Sequence, residues 1–509
     1  MATVAVEGQS PWGRAVPDWR AMRPGVRVRL YHELTSYSPE TEIWVPRDDA
    51  RLLQDHVAND FATWPWPCKR YADELPAVAL PREWPGVTAP AADVLAGRHE
   101  AAATEPTLPA LARILYLTAG VVRVAEREDR PTLLLRAAGS AGGRFPLELY
   151  VAARGMDGLP DGVHWYDPVG HGLVQVGPPA QGAPATTLIV TGIPWRTGWR
   201  YAERGWRHIH WDAGTALSQA LALAGSAGLR PRLWSRFPDA ELARLVGADG
   251  VHELPVALVA LGDGPPATTA GGEAVAGAVD AAPREFPLVT EAHHAGDVAE
   301  LGAPWAEGAP VAGTIPSSPA LDDVLLQRGT TRRMDARSTL PRATFDFALA
   351  AAMRGIDVPH FVAVHGVDDV APGLYRWPDL ATPLRRADLR QELLRVCWDQ
   401  DLGRDAAFVI LGAADLDALD DRGYREAQLA AGLVEGRLHI AAYALGAGAS
   451  GMTFLDSELP GLVGAPLAGL LFTCVGVPDY RNRRGGGRPG APVAVHIPTP
   501  GTTETAPHA

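Results

Sequence analysis

Lysine is almost missing from this chain. Of 46 basic residues among 509, Lys69 is the only lysine. A G-x-x-x-x-G-K phosphate loop needs a lysine after its glycines, and none can be drawn. Schiff-base chemistry has one candidate, Lys69 in Pro65-Trp-Pro-Cys-Lys-Arg-Tyr71. Cysteine is scarce too. Cys68, Cys397 and Cys474 lie far apart, which excludes a disulfide framework and a CxxC zinc site. No apolar run approaches the ~18 residues that span a bilayer. The N-terminus has no basic stretch followed by an apolar one, so a cytoplasmic protein without membrane contact is expected. No basic block offsets the net charge of −13, which argues against a nucleic-acid partner.

The remaining composition is that of a globular protein, 47% hydrophobic and 21% charged. At roughly 100–200 residues per domain, two to four domains fit the length. An internal repeat sharpens this. Arg204-Gly205-Trp206-Arg207 returns 218 residues later as Arg422-Gly423-Tyr424-Arg425. At the same shift Ala213-Gly214 matches Ala431-Gly432, and Gly228 matches Gly446. Leu245-Val246-Gly247 returns as Leu462-Val463-Gly464, one residue out of step. Matches in one order across such a span mark a duplicated domain.

The copies are placed at about 28–262 and 316–484, after an N-terminal extension, 1–27. The Ala/Gly/Pro-rich stretch 263–315 reads as a linker or a covering loop, and 485–509 as an extended or disordered tail. Leu429, Leu433, Ile440 and Ala444 fall at helical spacing in a buried segment, with a counterpart over 213–227. Apolar runs at 254–261, 361–364, 407–411 and 470–475 read as strands. Helices and strands intermix without a βαβ rhythm, so the expected class is α+β.

Several segments invite a chemical reading. Gly446-Ala447-Gly448-Ala-Ser-Gly451 matches G-x-G-x-x-G, but a helix enters it and a strand leaves it, the reverse of a dinucleotide site. It is either a close-approach backbone segment or a helix C-cap. Arg328-Gly-Thr330-Thr-Arg332-Arg333 has the donors to hold a phosphate, or is a solvated turn. Ala138-Gly139-Ser140-Ala141-Gly142 resembles part of a nucleophile elbow, which would also need a histidine and an acid. His208-Ile-His210-Trp-Asp212 lacks a third metal ligand and reads as a strand edge or a helix start with Asp212 as N-cap.

Together these motifs resemble the SagB-type, or McbC-like, dehydrogenases of the FMN-dependent nitroreductase superfamily. Tyr31-His32-Glu33-Leu34-Thr35 is similar to the family's His-Glu-x-Thr opening. Arg328, Thr330 and Arg332 match its Arg-x-Ser-x-Arg phosphate motif, with threonine for serine. Gly139-Ser140-Ala141-Gly142-Gly143-Arg144-Phe145-Pro146 resembles Pro-Ser-Ala-Gly-Ala-x-x-Pro. Arg200-Tyr201-Ala-Glu203-Arg204-Gly-Trp-Arg207 resembles the Lys-Tyr-Gly-x-Arg-x-x-Arg box. Gly446-Ala447-Gly448 resembles the Gly-Leu-Gly helix exit, and Gly476-Val-Pro478 with Arg481, Arg483 and Arg484 the closing segment.

The resemblance implies two tandem nitroreductase-like domains forming an intrachain pseudo-dimer. It implies bound FMN and oxidation of thiazoline or oxazoline rings in a precursor peptide, prepared by a partner cyclodehydratase. Homo-oligomerisation stays open. Phosphate and ring contacts would fall to Arg328, Thr330, Arg332, Arg483 and Arg484, to Ser140, Ala141 and Gly142, and to Gly446, Ala447 and Gly448. The catalytic Lys-Tyr pair becomes Arg200-Tyr201, and a guanidinium is a poor proton acceptor, which leaves Tyr201. A small-molecule reductase using NAD(P)H and a flavin-free peptide-binding partner are the rival readings. Copy one has only Gly97-Arg98-His99-Glu100 at the phosphate position, and copy two lacks the Ser-Gly loop, so one flavin per chain is expected.

Overall fold

Two long helices, each lined with alanine, leucine and glycine, organise two units of the same topology. The computed structural model describes residues 25–40, 49–127, 130–480 and 485–495. Unit one has helices α1 (Val26–Leu34), α2 (Ala91–Leu95), α3 (Leu108–Ala119), α4 (Pro194–Tyr201), α5 (Gly205–Ser226) and α6 (Asp239–Val246). Its strands are β1 (Ala77–Ala79), β2 (Val121–Arg127), β3 (Arg130–Arg136), β4 (Leu147–Ala153), β5 (Gly162–Asp167), β6 (Gly172–Gly177), β7 (Thr186–Gly192), β8 (Pro231–Trp234) and β9 (Leu254–Leu261). Helix α7 (Pro287–Ala295) lies in the connecting segment. Unit two has α8 (Leu321–Gln327), α9 (Arg342–Ala352), α10 (Arg390–Val396), α11 (Asp401–Asp405), α12 (Asp421–Ala444) and α13 (Leu459–Val463). Its strands are β10 (His360–Val364), β11 (Gly373–Arg376), β12 (Arg385–Arg386), β13 (Phe408–Ala414), β14 (Gly448–Met452) and β15 (Ala468–Gly476), and β16 (Val493–Ala494) follows.

The sheets run β1-β6-β5-β4-β7-β9-β8 and β12-β11-β10-β13-β15-β14, the same order apart from the extra edge strand β1. Every neighbouring pair in both is antiparallel. Strands β4, β7, β9 and β13 are buried along their whole length, as apolar runs covered on both faces must be. Unit one inserts the β2–β3 hairpin and a Ser-Gly loop between α3 and β4, where unit two passes from α9 directly to β10. β16 pairs in parallel with β2, so residues 493–494 lie against unit one.

The units meet where α5 crosses α12. A Cβ on Gly214 would run into the Gly432 carbonyl carbon and the Leu433 nitrogen, and one on Gly432 into the Trp211 carbonyl. These glycines are the repeat partners 218 residues apart, so the crossing marks the local pseudo-two-fold axis. Buried charge crosses the interface with the same symmetry. Arg204 and Arg207 of unit one hold Asp456 of unit two at 2.6 and 2.7 Å. Arg422 and Arg425 of unit two hold Asp239 of unit one at 2.8 and 2.9 Å. Helix α1 lies across one such junction. Its first amides, Gly25 and Val28, donate to Asp421, Tyr31 Oη donates to the Glu203 carbonyl, and His32 Nδ1 lies 3.0 Å from Tyr424 Oη.

The segment 263–315 is a belt with backbone bonds along its course. Val275 N donates to the Val176 carbonyl, Ala278 N to Arg70, Trp305 N to Leu233 and Val311 N to Ala96. His208–Asp212, expected as a strand edge or a helix start, instead lie inside α5, which begins at Gly205. Tertiary contacts override the modest helix propensity of these residues. Trp206 stacks on Tyr424 at 5.8 Å, and Trp211 Nε1 donates to Gln428 Oε1 at 2.6 Å. Asp212 is therefore not a cap, and its carboxylate is directed elsewhere. No helix among the described residues is long and apolar enough to cross a membrane.

Two stability outcomes follow from this interface. Gly214→Leu forces the helices apart and should lower unfolding free energy by about 3 kcal/mol or more in urea titration. Gly225→Ala on the same helix, with nothing within 4 Å of the new Cβ, should be neutral or stabilising by about 0.5–1 kcal/mol. Burial opposes ionisation of Asp456, but Arg204 and Arg207 outweigh it and hold its pKa down from 3.8 to about 2. A depressed carboxylate stabilises above its unfolded pKa, so about 2 kcal/mol should be lost as pH falls from about 4 to about 2. Asp456→Asn strands both guanidinium groups, should cost about 3–5 kcal/mol at neutral pH, and should remove that acid limb.

Candidate active site

The Ser-Gly loop, 139–146, hangs between β3 and β4 and is fastened to α5. Ser140 Oγ lies 2.5 Å from Asp212 Oδ2 and accepts the Phe145 N–H at 2.7 Å, while Ala141 N donates to Asp212 Oδ1 at 3.0 Å. Gly142 and Gly143 take left-handed φ of 59° and 64°, which glycine adopts without strain. A Cβ on Gly142 would stand 2.7 Å from both Tyr201 Oη and Arg200 Cδ. The loop and the end of α4 therefore touch, bringing Ser140, Ala141 and Gly142 together with Arg200 and Tyr201. Tyr201 stacks on His208 at 4.1 Å, and Arg200 Nη1 donates to Asn59 Oδ1 at 3.1 Å. Burial, reinforced by Arg204, Arg207 and Arg200, pushes His208 well below its ordinary pKa, so its ring is neutral. Both of its nitrogens are buried without a partner among the described residues. Ser140 pairs with a carboxylate and not an imidazole, which removes the hydrolase arrangement.

Unit two brings Arg328 to the other side of this loop. A Cβ on Gly139 would lie 3.5 Å from Arg328 Nη1, and Arg328 Nη2 donates to the Ala137 carbonyl. Arg328 is 3% exposed, and among the described residues no carboxylate forms an ion pair with it. Burial pulls its pKa down to about 10, with Tyr443 and Glu435 opposing and Arg123 adding to the fall. Arg123 of β2 stands nearby, its Nη2 donating to the Leu326 carbonyl at 2.7 Å. Near Arg328, Thr331 Oγ1 and Tyr443 Oη are buried without a hydrogen-bond partner among the described residues, and so is the His439 ring, one turn before Tyr443 on α12. Arg328 Nε is in the same state. Two guanidinium groups and unused donors in a buried setting can bind an anion such as a phosphate.

The other expected residues divide. Thr330 and Arg332 are exposed, and Arg332 N donates to Tyr480 Oη at 2.9 Å. The threonine that faces inward is Thr331, against Gly448, where a Cβ would collide with Thr331 Oγ1. Gly446 caps α12 at φ 76° in open space, and Ala447 N donates back to the Ala442 carbonyl. Arg483 and Arg484 lie outside the described residues. Lys69 is buried against Glu253 Oε2 at 2.5 Å and Tyr150 Oη at 2.8 Å. Desolvation works against its charge, but Glu253 and Tyr71 outweigh it and raise its pKa. A held ammonium is not the nucleophile a Schiff base needs.

The sequence alone reads Asp212 as a helix cap, and it misses Thr215 and a stripe on α12. Glu435, His439 and Tyr443 sit at four-residue spacing. Thr215 Oγ1 donates to Glu435 Oε2 at 2.9 Å, and His439 Nε2 lies 3.6 Å from Glu435 Oε1. The 218-residue shift carries the signal, since it aligns that stripe with Leu217, Leu221 and Gly225. The pseudo-symmetric position is differently built. Arg98 is exposed and donates to the Gly313 carbonyl at 2.9 Å. The belt crosses there, with Trp305 Nε1 bonded to the Gly355 carbonyl at 2.9 Å and Val311 N to Ala96 at 2.9 Å.

No family model matches the chain. A protein of Methanocaldococcus jannaschii named as a nitroreductase is 28% identical over 171 residues, 31% of this chain and 80% of that protein. A crystal structure from Anabaena variabilis, also named as a nitroreductase, covers 89% of this chain and 99% of its own, with 24% identity and a TM-score of 0.66. A chain of the E. coli microcin synthetase McbBCD complex, solved with truncated pro-MccB17 bound, is similar over 31% of this chain and 65% of its own, at 19% identity and a TM-score of 0.27. The Anabaena likeness runs through both units, so the chain carries a tandem nitroreductase-like fold.

Proposed function

We propose that this protein is an FMN-dependent oxidoreductase, and within that class a dehydrogenase that oxidises thiazoline or oxazoline rings of a ribosomally made precursor peptide. The observation that carries the flavin reading is the buried Arg328 of unit two, without an ion-pair partner among the described residues, beside the Ser-Gly loop of unit one. The likeness to nitroreductases supports it, and the ordered motifs from Tyr31-His32-Glu33-Leu34-Thr35 onward support the azoline substrate and a cyclodehydratase partner. Arg328 and Arg123 would hold the phosphate, with Thr331 and Tyr443 supplying hydroxyls; Thr330, Arg332, Arg483 and Arg484 remain proposed from the motifs alone. The backbone of 139–142 and of 446–448 would face the ring. FMN, when bound, supplies the hydride-accepting centre.

The chain must handle the proton. Aromatising an azoline removes a hydride and a proton from adjacent ring carbons. A guanidinium is a poor proton acceptor, and that of Arg200 is anchored on Asn59. Tyr201 has its hydroxyl at Gly142, within the same loop contact, and is assigned the role of proton acceptor. The buried, neutral His208 beneath its ring keeps it in place by stacking.

The visible spectrum of the purified protein, with turnover of an azoline-containing peptide, tests the reading. One FMN per chain is expected, because the pseudo-symmetric position has an exposed Arg98, an apolar helix stripe and the belt across it. Heat-released flavin at two per chain overturns that count. Arg328→Ala with Arg332→Ala should abolish or strongly weaken flavin binding. Tyr201→Phe should retain FMN and lose at least about tenfold in turnover. Nitroaromatic reduction with NAD(P)H but no azoline oxidation would favour a small-molecule reductase. A colourless protein that FMN cannot reconstitute would favour a peptide-binding partner.

A further inference from the structure

Ser140 has one hydrogen to give and two lone pairs to offer. One lone pair is taken by the Phe145 N–H at 2.7 Å. The 2.5 Å contact with Asp212 Oδ2 must use either the serine hydrogen or its second lone pair. If Asp212 is ionised, Ser140 donates to it and keeps only a lone pair for anything else. If Asp212 is protonated, the acid donates, both lone pairs are filled, and the serine hydrogen is free. Ser140 is partly exposed and lines a small cavity with Asp212, Thr118 and Arg136, so its hydroxyl borders open space.

We propose that Asp212 is a positioning residue that sets whether Ser140 presents a hydrogen-bond donor or an acceptor to a ligand seated on the Ser-Gly loop. The surroundings favour the protonated acid. Thr215, three residues beyond Asp212 on α5, is bonded to Glu435 of α12, whose charge opposes a second negative one on Asp212. Arg328 stands beyond Gly139, Arg136 of β3 is engaged with the Leu147 and Pro67 carbonyls, and His208, one turn earlier on α5, is neutral. Burial pushes the Asp212 pKa up to about 8, with the Ser140 and Ala141 hydrogen bonds opposing and Glu435 adding. Below that pH Ser140 suits an acceptor edge, as the ring nitrogens and carbonyl oxygens of an oxidised flavin provide. Above it Ser140 suits a ligand donor.

The ligand's identity rests on the flavin reading, whereas the state of Asp212 does not, so two measurements separate them. Apoprotein titrated with FMN, followed by flavin fluorescence, should bind about five-fold more weakly at about pH 9 than at about pH 7, the worth of one hydrogen bond. Asp212→Asn, whose amide donates at every pH, should bind equally at both. Ser140→Ala should bind weakly and without pH dependence. Glu435→Gln should move the native midpoint to lower pH. Infrared difference spectra should show a carboxylic-acid carbonyl band in the native protein, lost as pH rises through about 8 and absent from Asp212→Asn. Equal pH dependence in the native and Asp212→Asn proteins overturns the proposal. So does a native protein with no such band at about pH 7. Absence of FMN binding at either pH defeats the flavin reading, and the infrared result then decides for or against Asp212 on its own.

Discussion

The backbone contact between Gly214 and Gly432 is the constraint on which the rest of the molecule depends. Two helices can approach this closely only where neither has a side chain, and here the two bare positions are repeat partners. The close approach places α5 and α12 against each other along most of their length. It sets Thr215 beside Glu435 and Trp211 beside Gln428. It also brings the loop fastened by Asp212 of one unit over the arginine of the other. Residues that line the candidate site thus come from both units, although nothing near them in sequence connects them.

Around that axis, symmetry is kept in one set of contacts and lost in another. The swapped clusters, Arg204 and Arg207 on Asp456 and Arg422 and Arg425 on Asp239, are near-copies of each other. Each is a buried charge whose partner lies on the other unit, so loss of either carboxylate leaves uncompensated cations at the interface. Away from the interface the copies diverge. Asp212 and Thr215 align with Ala430 and Leu433, and Glu435, His439 and Tyr443 with Leu217, Leu221 and Gly225. Polar groups of both halves thus lie at one position, and apolar ones stand at its pseudo-symmetric mate.

Much of this is legible in the chain itself. The duplication, the strands and the buried character of α12 follow from repeated spacing and apolar runs. The Ser-Gly loop and Arg328 stand out because glycines with serine, and arginines with threonines, cluster in few residues. What is not legible depends on direction. The sequence Arg328-Gly-Thr330-Thr-Arg332 does not say which threonine turns inward, and the turn presents Thr331. Histidines and tryptophans at 206–211 have weak helix preference, so the start of α5 is decided by packing on unit two. The role of Asp212 depends on a loop 72 residues away that no local pattern joins to it.

The belt that joins the units has an evolutionary side. In a dimer of identical chains every substitution is made twice, so a change that improves one site also alters its twin. Residues 263–315 tie two non-identical halves into one gene product. A mutation in such a chain is felt at one place only, and a redundant pocket can be dismantled while its neighbour is refined. The tether also makes the encounter of the halves intramolecular, so their pairing does not weaken on dilution. A protein present at a few copies per cell would still carry an assembled site.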